Sequence, residues 1–235
     1  MTLFINNYSY MIKTKVNIMS KANKRYLQPD KIDSKKVCKY HNFSFKVVVI
    51  GEANVGKTSL TRVFCGEDFQ SVEVPTIGIG IYTTFVKRGK NSVMIDIYDT
   101  AGAERYASLT RSFLRATSGI ILMYDINDPR TLEKSLKKYN EIKDYDDDYK
   151  PVVILVGSKS DLGNRTSIND VNNVVDDIKC VDHVVTSAKT GYNLDLIFDT
   201  LVDNMIINYN KYKNHHKSKS IKLSLSDKKP CCVIL

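Results

Sequence analysis

Apolar and polar positions alternate in blocks along most of this chain, and the blocks change period in a regular order. Phe45-Lys46-Val47-Val48-Val49-Ile50 is a β-branched run that stops at Gly51, which predicts a strand. A glycine-bearing loop follows, then a helix through about Cys65. Strands are predicted near 79–88 and 92–98, separated by the hairpin-like turn Arg88-Gly89-Lys90-Asn91. The order then reads strand (119–125), helix (130–144), strand (152–157), helix (168–178), strand (182–186) and helix (193–209). Strands that alternate with helices imply an α/β fold with a mostly parallel six-stranded sheet and helices on both faces. The hairpin makes one strand antiparallel and places it at an edge. Ligands of such sheets sit at the C-terminal ends of the strands.

The flanks do not share this pattern. Residues 1–44 show no sustained period and carry Pro29-Asp30 and Asp33-Ser34 as breakers, so they read as an N-terminal extension. Residues 45–210 form the domain, and 211–235 a flexible basic tail. Met11 and Met19 are alternative starts. No apolar run is long enough to span a bilayer, and the N-terminus shows neither a secretory signal nor Met-Gly for myristoylation. Asp144-Tyr145-Asp146-Asp147-Asp148 reads as a solvated loop.

Charge sharpens that division. The formal net charge is +9. Residues 1–44 hold nine Lys/Arg against two Asp, and 211–235 hold seven Lys against one Asp. The middle holds nineteen basic and twenty-three acidic residues, a balance near −4. A nucleic-acid-binding domain would carry its positive charge on the folded part, so nucleic acid is not the expected partner. Five scattered cysteines, Cys38, Cys65, Cys180, Cys231 and Cys232, argue against a disulfide framework.

The strand ends carry the candidate chemistry. Gly51-Glu52-Ala53-Asn54-Val55-Gly56-Lys57-Thr58 fits G-x-x-x-x-G-K-[ST] between a strand and a helix, with Ser59 next in that helix. Glycines there let backbone N–H groups wrap phosphate oxygens, and the helix N-terminus adds its dipole. Lys57 would neutralise the β- and γ-phosphates, and the Thr58 hydroxyl would bind Mg2+. Asp99-Thr100-Ala101-Gly102 follows the strand 92–98. Asp99 could hold Mg2+ through water, and the Gly102 N–H could reach a γ-phosphate. Thr76, in the loop before the next strand, is placed to sense both. At Ser158-Lys159-Ser160-Asp161 the carboxylate of Asp161 can accept from guanine N1–H and the 2-amino group, which adenine lacks. The stem of Lys159 can lie along the base. A backbone N–H in Thr186-Ser187-Ala188-Lys189 can donate to guanine O6.

Together, in this order, these motifs resemble the Ras superfamily of small GTPases over roughly 45–210, and their wording is most similar to the Rab branch. Pro75-Thr76-Ile77-Gly78-Ile79, the stretch from Asp99 to Phe113, Tyr124-Asp125-Ile126 and Thr186-Ser187-Ala188-Lys189-Thr190-Gly191 carry that likeness. The resemblance implies the P-loop GTPase fold, with GTP or GDP and Mg2+ as ligands. Its catalytic residues would be Lys57, Thr76 and Gly102, and its metal residues Thr58, Thr76 and Asp99. It also implies that Phe69, seven residues before Thr76, packs on the guanine edge. Four positions depart from the family's pattern. Ala103 stands where the family has the Gln that orients the attacking water, which implies slow intrinsic hydrolysis unless a partner supplies the group. Ser158 replaces an Asn, and keeps part of a bridge to the phosphate loop without a two-ended amide contact. Ala53 replaces a glycine that Rabs do not require. Gly80-Ile81 replaces an acidic–aromatic pair of the Rab pattern and Tyr98 replaces a Trp; the chain has no Trp.

The end of the chain adds a second signal. Cys232-Val233-Ile234-Leu235 fits C-a-a-X, where a terminal Leu favours geranylgeranyl, and Cys231-Cys232 also resembles doubly prenylated Rab tails. One lipid chain gives marginal membrane binding at about 0.8 kcal/mol per buried methylene; two chains, or one with the seven lysines, would give stable residence. The expectation is a monomeric switch on the cytoplasmic side of a membrane that cycles with the cytosol. Its partners would be effectors, an exchange factor, an activating protein and a carrier of prenylated proteins, in vesicle traffic. A GTP-binding adaptor that does not hydrolyse, a Ras- or Rho-branch signalling protein, and a P-loop kinase or ATPase are the alternatives.

Overall fold

The computed structural model describes residues 14–16, 41–72, 75–76, 78–101, 114–143 and 150–226, with backbone alone at 14–16 and 216–226. In chain order the elements are β1 (Thr14–Val16), β2 (Phe43–Gly51), α1 (Lys57–Phe64), β3 (Ile79–Arg88), β4 (Asn91–Thr100), β5 (Gly119–Asp125) and α2 (Arg130–Asn140). Next come β6 (Val152–Ser158), a 3-10 turn (Ser160–Leu162), α3 (Ile168–Ile178), β7 (His183–Val185) and α4 (Leu194–Ser226).

One sheet holds all the strands in the order β1-β3-β4-β2-β5-β6-β7. The β3–β4 pair is antiparallel, from Ile79 opposite Thr100 to Arg88 opposite Asn91, and the other pairs are parallel. The six strands read from the sequence are all present. A seventh, three residues long, comes from the flank assigned to the extension. It pairs Thr14 with Ile81, Lys15 with Tyr82 and Val16 with Thr83, so the antiparallel strand β3 is not the outermost one. No helical or strand period in 1–44 announces three residues whose pairing depends on a distant edge.

Side chains of successive strand residues point to opposite faces, so each central strand feeds two cores. On one face Phe45, Val47 and Val49 join Val93, Ile95, Ile97, Ile121, Met123, Ile154 and Val156, under α1 (Leu60, Phe64) and α4 (Ile197, Phe198, Leu201, Met205). On the other, Val48, Ile50, Ile120, Leu122, Val153 and Leu155 meet α2 (Leu132) and α3 (Val171, Val174, Ile178). Central strands β2, β5 and β6 therefore read as unbroken apolar runs. The stacked Phe64 and Phe198 rings tie the first and last helices together.

Two element ends differ from expectation. Helix α2 stops at Asn140 rather than 144. Helix α4 continues to Ser226, well past the boundary set at 210, so residues 211–226 are helical. Its buried positions end at Met205; beyond them the helix no longer has a core stripe to reveal it in the sequence. Arg88, at the end of β3, fastens the sheet to this helix through ion pairs with Asp199 and, at 2.9 Å, Asp203. Among the described residues no helix is long and apolar enough to cross a membrane.

Candidate functional site

The site begins where β2 ends. A Cβ at Gly51 would lie 2.4 Å from the Met123 carbonyl oxygen of neighbouring β5, so only glycine lets the loop turn off the sheet there. Gly56 then takes φ 89°, a left-handed conformation, and α1 starts at Lys57 without a side-chain cap and with no acidic residue in its first turn. An uncapped helix start leaves its first N–H groups for another acceptor, and the dipole favours an anion. Asn54 and Lys159 also have left-handed φ values of 63° and 62°, uncommon without glycine, and both line the same cavity.

That cavity has a volume of about 570 Å3 and lies at the C-terminal ends of the strands. One end is walled by Gly56, Lys57, Thr58, Ser59 and Thr76; the other by Ser158, Lys159, Asp161, Ala188 and Lys189; Phe69, Gln70 and Val72 close its side. Such a volume suits a cofactor-sized molecule. A second cavity of about 470 Å3 lies at the opposite end of β5 and β6 and contains none of the motif residues.

Lys57 is 5% exposed, and its ammonium donates to the carbonyls of Glu52 at 2.8 Å and Gly51 at 3.2 Å. Burial pushes its pKa down to about 8, against the pull of the nearby Asp99 carboxylate. A buried amine held at this cost suits an incoming anion. Beside it the Thr58 hydroxyl donates to Asp99 Oδ2 at 2.7 Å and lies 2.8 Å from the Thr76 hydroxyl, while Thr76 lies 3.5 Å from Asp99 Oδ2. Three residues from a helix start, a loop and a strand end thus converge on one point. Two hydroxyls and one carboxylate, all hard oxygen donors, fit a Mg2+ ion, which keeps several of its waters in such sites. The same carboxylate, together with burial as the main cause, raises the Tyr82 phenol to about 12.

At the other end Asp161 Oδ1 accepts from the Ser187 hydroxyl at 2.6 Å, and the Lys189 ammonium stands 4.0 Å from Oδ2. Ser158 is 5% exposed, with its hydroxyl 2.6 Å from the Val55 carbonyl and 2.8 Å from that of Tyr124. The bridge to the phosphate loop therefore exists. Ser187 is almost fully buried, and Phe69 is 37% exposed on the cavity's flank.

Two residues at this end carried no sequence assignment. The Lys159 ammonium pairs with Asp125 Oδ2 at 2.7 Å, and Asn127 Nδ2 donates to the Lys159 carbonyl at 3.1 Å and to Asp125 Oδ1 at 3.2 Å. Asp125 closes β5 directly opposite Ser158 at the end of β6, so its place at a strand end was the available signal. Gly102, Ala103, Cys231 and Cys232 lie outside the described residues.

Comparison with known proteins agrees with this arrangement. A family model described as the Ras family matches residues 46–207. The chain is similar to Ras-related protein Rab-3 of Caenorhabditis elegans, 35% identical over 69% of this chain and 74% of that protein. It is also similar to human Ras-related protein Rab-25, at 31% over 83% of this chain and 96% of the relative. Ras-related protein RabC of Dictyostelium discoideum is 28% identical over 80% of this chain and 97% of its own length.

Proposed function

We propose that this chain, which belongs to the Ras family of small GTPases and is Rab-like within it, is a membrane-anchored switch that recruits effectors when loaded with GTP. The single observation that carries the reading is the convergence of Thr58, Thr76 and Asp99 beside Lys57 at one end of a cavity whose other end holds Asp161.

In this reading the first N–H groups of α1 and the loop 51–56 cradle the phosphates, and Lys57 balances their charge. Thr58, Thr76 and Asp99 would hold Mg2+, and the ion, when bound, would neutralise charge that builds on the phosphates. Thr76 and the Gly102 N–H detect the γ-phosphate, so their loops order with GTP and relax after hydrolysis. Asp161 selects guanine, Ser187 fixes that carboxylate, and Ala188 and Lys189 border the base. Cys231 and Cys232 carry the lipid, with the basic tail against an anionic leaflet. Effectors, an exchange factor, an activating protein and a carrier of the prenylated chain complete a cycle in vesicle traffic, with the protein acting as a monomer.

Ala103 favours a second reading, an adaptor that binds GTP without hydrolysing it, because a methyl group cannot orient water. Single-turnover hydrolysis of bound GTP by the wild type and Ala103→Gln separates the two. A slow wild type and a variant faster by about a hundredfold, the usual weight of one positioned polar group, support the handicap. Equal, ordinary rates remove it. Failure to bind GTP in the presence of excess ATP removes the switch reading altogether.

A further inference from the structure

Ser158 lines the cavity beside the phosphate loop, and its hydroxyl is already spent. It has one hydrogen. Its two partners, the Val55 carbonyl at 2.6 Å and the Tyr124 carbonyl at 2.8 Å, are both acceptors, so the hydrogen points to one of them and not into the cavity. Of the side-chain amides, Asn54 belongs to the phosphate loop and Gln70 to the flank beside Phe69, and the one bonded to the Lys159 backbone is that of Asn127. Its Nδ2 has two hydrogens, which go to Asp125 Oδ1 and the Lys159 carbonyl. The Lys159 ammonium is paired with Asp125 Oδ2 at 2.7 Å, and a lysine stem lying along the face of a base keeps its nitrogen out of the ring plane.

The purine itself fixes which atom this affects. With N1–H and the 2-amino group on Asp161, O6 comes next around the ring, and N7 follows O6 on the same edge. The five-membered ring also bears the sugar, so it lies between Asp161 and the phosphate end at Lys57. Ser158 occupies this interval: it ends β6 three residues before Asp161 and is bonded to Val55 of the phosphate loop.

We propose that guanine N7 receives no hydrogen bond from this protein, and that Ser158 thereby makes the site indifferent to the atom at position 7. The chain accepts 7-deazaguanine nucleotides, in which C–H replaces N7, as readily as guanine nucleotides. An asparagine at 158 has two amide hydrogens; one could keep the Val55 carbonyl while the other reaches N7. The inference rests on the guanine-nucleotide reading above and names a specificity-determining residue within it.

The test is the ratio of Kd values for GDP and 7-deaza-GDP, by displacement of a fluorescent GDP from the full chain and from Ser158→Asn. The wild type is expected to bind both within about threefold, and the variant to prefer GDP by about tenfold, the weight of one hydrogen bond. A wild-type preference for GDP above threefold overturns the proposal, as does a folded variant with an unchanged ratio. If the variant does not fold, the wild-type ratio alone decides. A protein that binds neither nucleotide refutes the underlying guanine reading, whereas one that binds GDP and rejects 7-deaza-GDP refutes only the role of Ser158.

Discussion

Raising the pH from 7 to 9 should weaken nucleotide binding through Lys57. In the unliganded protein burial holds this amine at a pKa of about 8, against 10.5 for the free side chain. Phosphates beside it would restore the charged form and return the pKa to at least the free value. Below pH 8 the ammonium is present before and after binding, so affinity is flat. Above pH 8 the free protein has shed the proton and must recover it on binding. Linkage then gives a loss of about tenfold in affinity between pH 7 and 9. The same depressed value acts with the opposite sign on the unliganded fold. Between pH 8 and 10.5 the unfolded chain holds more protons than the native one, so the stability of the unliganded fold rises with pH across that window. The full shift corresponds to about 3 kcal/mol. Equilibrium titration with fluorescent GDP, kept below the pH at which guanine N1–H ionises extensively, checks the binding arm. Lys57→Met should bind weakly at every pH and lose the slope. A flat wild-type profile from pH 7 to 9, or a Met variant that keeps the slope, would refute the assignment to Lys57.

Other outcomes follow from single contacts. Gly51→Ala sets a methyl 2.4 Å from the Met123 carbonyl oxygen, and the backbone must shift; a loss of about 1–3 kcal/mol is expected in urea unfolding, and unchanged stability would disprove the close approach. Asp161→Asn exchanges a double acceptor for an amide. Affinity for GDP should fall by about a hundredfold, as two charge-assisted hydrogen bonds are weakened, while xanthosine diphosphate, with a carbonyl in place of the 2-amino group, should gain. Competition between the two nucleotides reads the switch, and an unchanged preference for guanine would place the base elsewhere.

Much of the fold and part of the site can be read from the chain because those features are local. Val47 to Ile50, Ile120 to Met123 and Val152 to Val156 are unbroken apolar runs, and only a strand covered on both faces needs them. The step from Ile50 through Gly51 to Gly56-Lys57-Thr58 announces a phosphate loop because glycine, lysine and a hydroxyl must occur at fixed spacing for backbone reasons alone. Periods of 3.6 place helices over 130–144 and 168–178, and the first of them stops early, at Asn140. The partners of each site residue were less legible. Asp161 could be picked from its tetrapeptide, but not the Ser187 hydroxyl that orients it.

The sequence by itself determined the order and type of the elements, the phosphate-loop motif and the branch of the family its wording resembles, since each depends on residues a few positions apart. Tertiary structure decided what depends on parallel strands meeting side by side. It brought Thr58, Thr76 and Asp99 within hydrogen-bonding distance, although Thr58 and Asp99 stand 41 positions apart. It spent the hydroxyl of Ser158 on Val55, 103 positions earlier, and set Asp125 against Lys159. It also carried Thr14–Val16 to the edge of β3 and extended α4 beyond its buried stripe. The physical reason is common to all of these: a period records which face a residue turns to the core, while the identity of its neighbour is set only when the strands and helices pack.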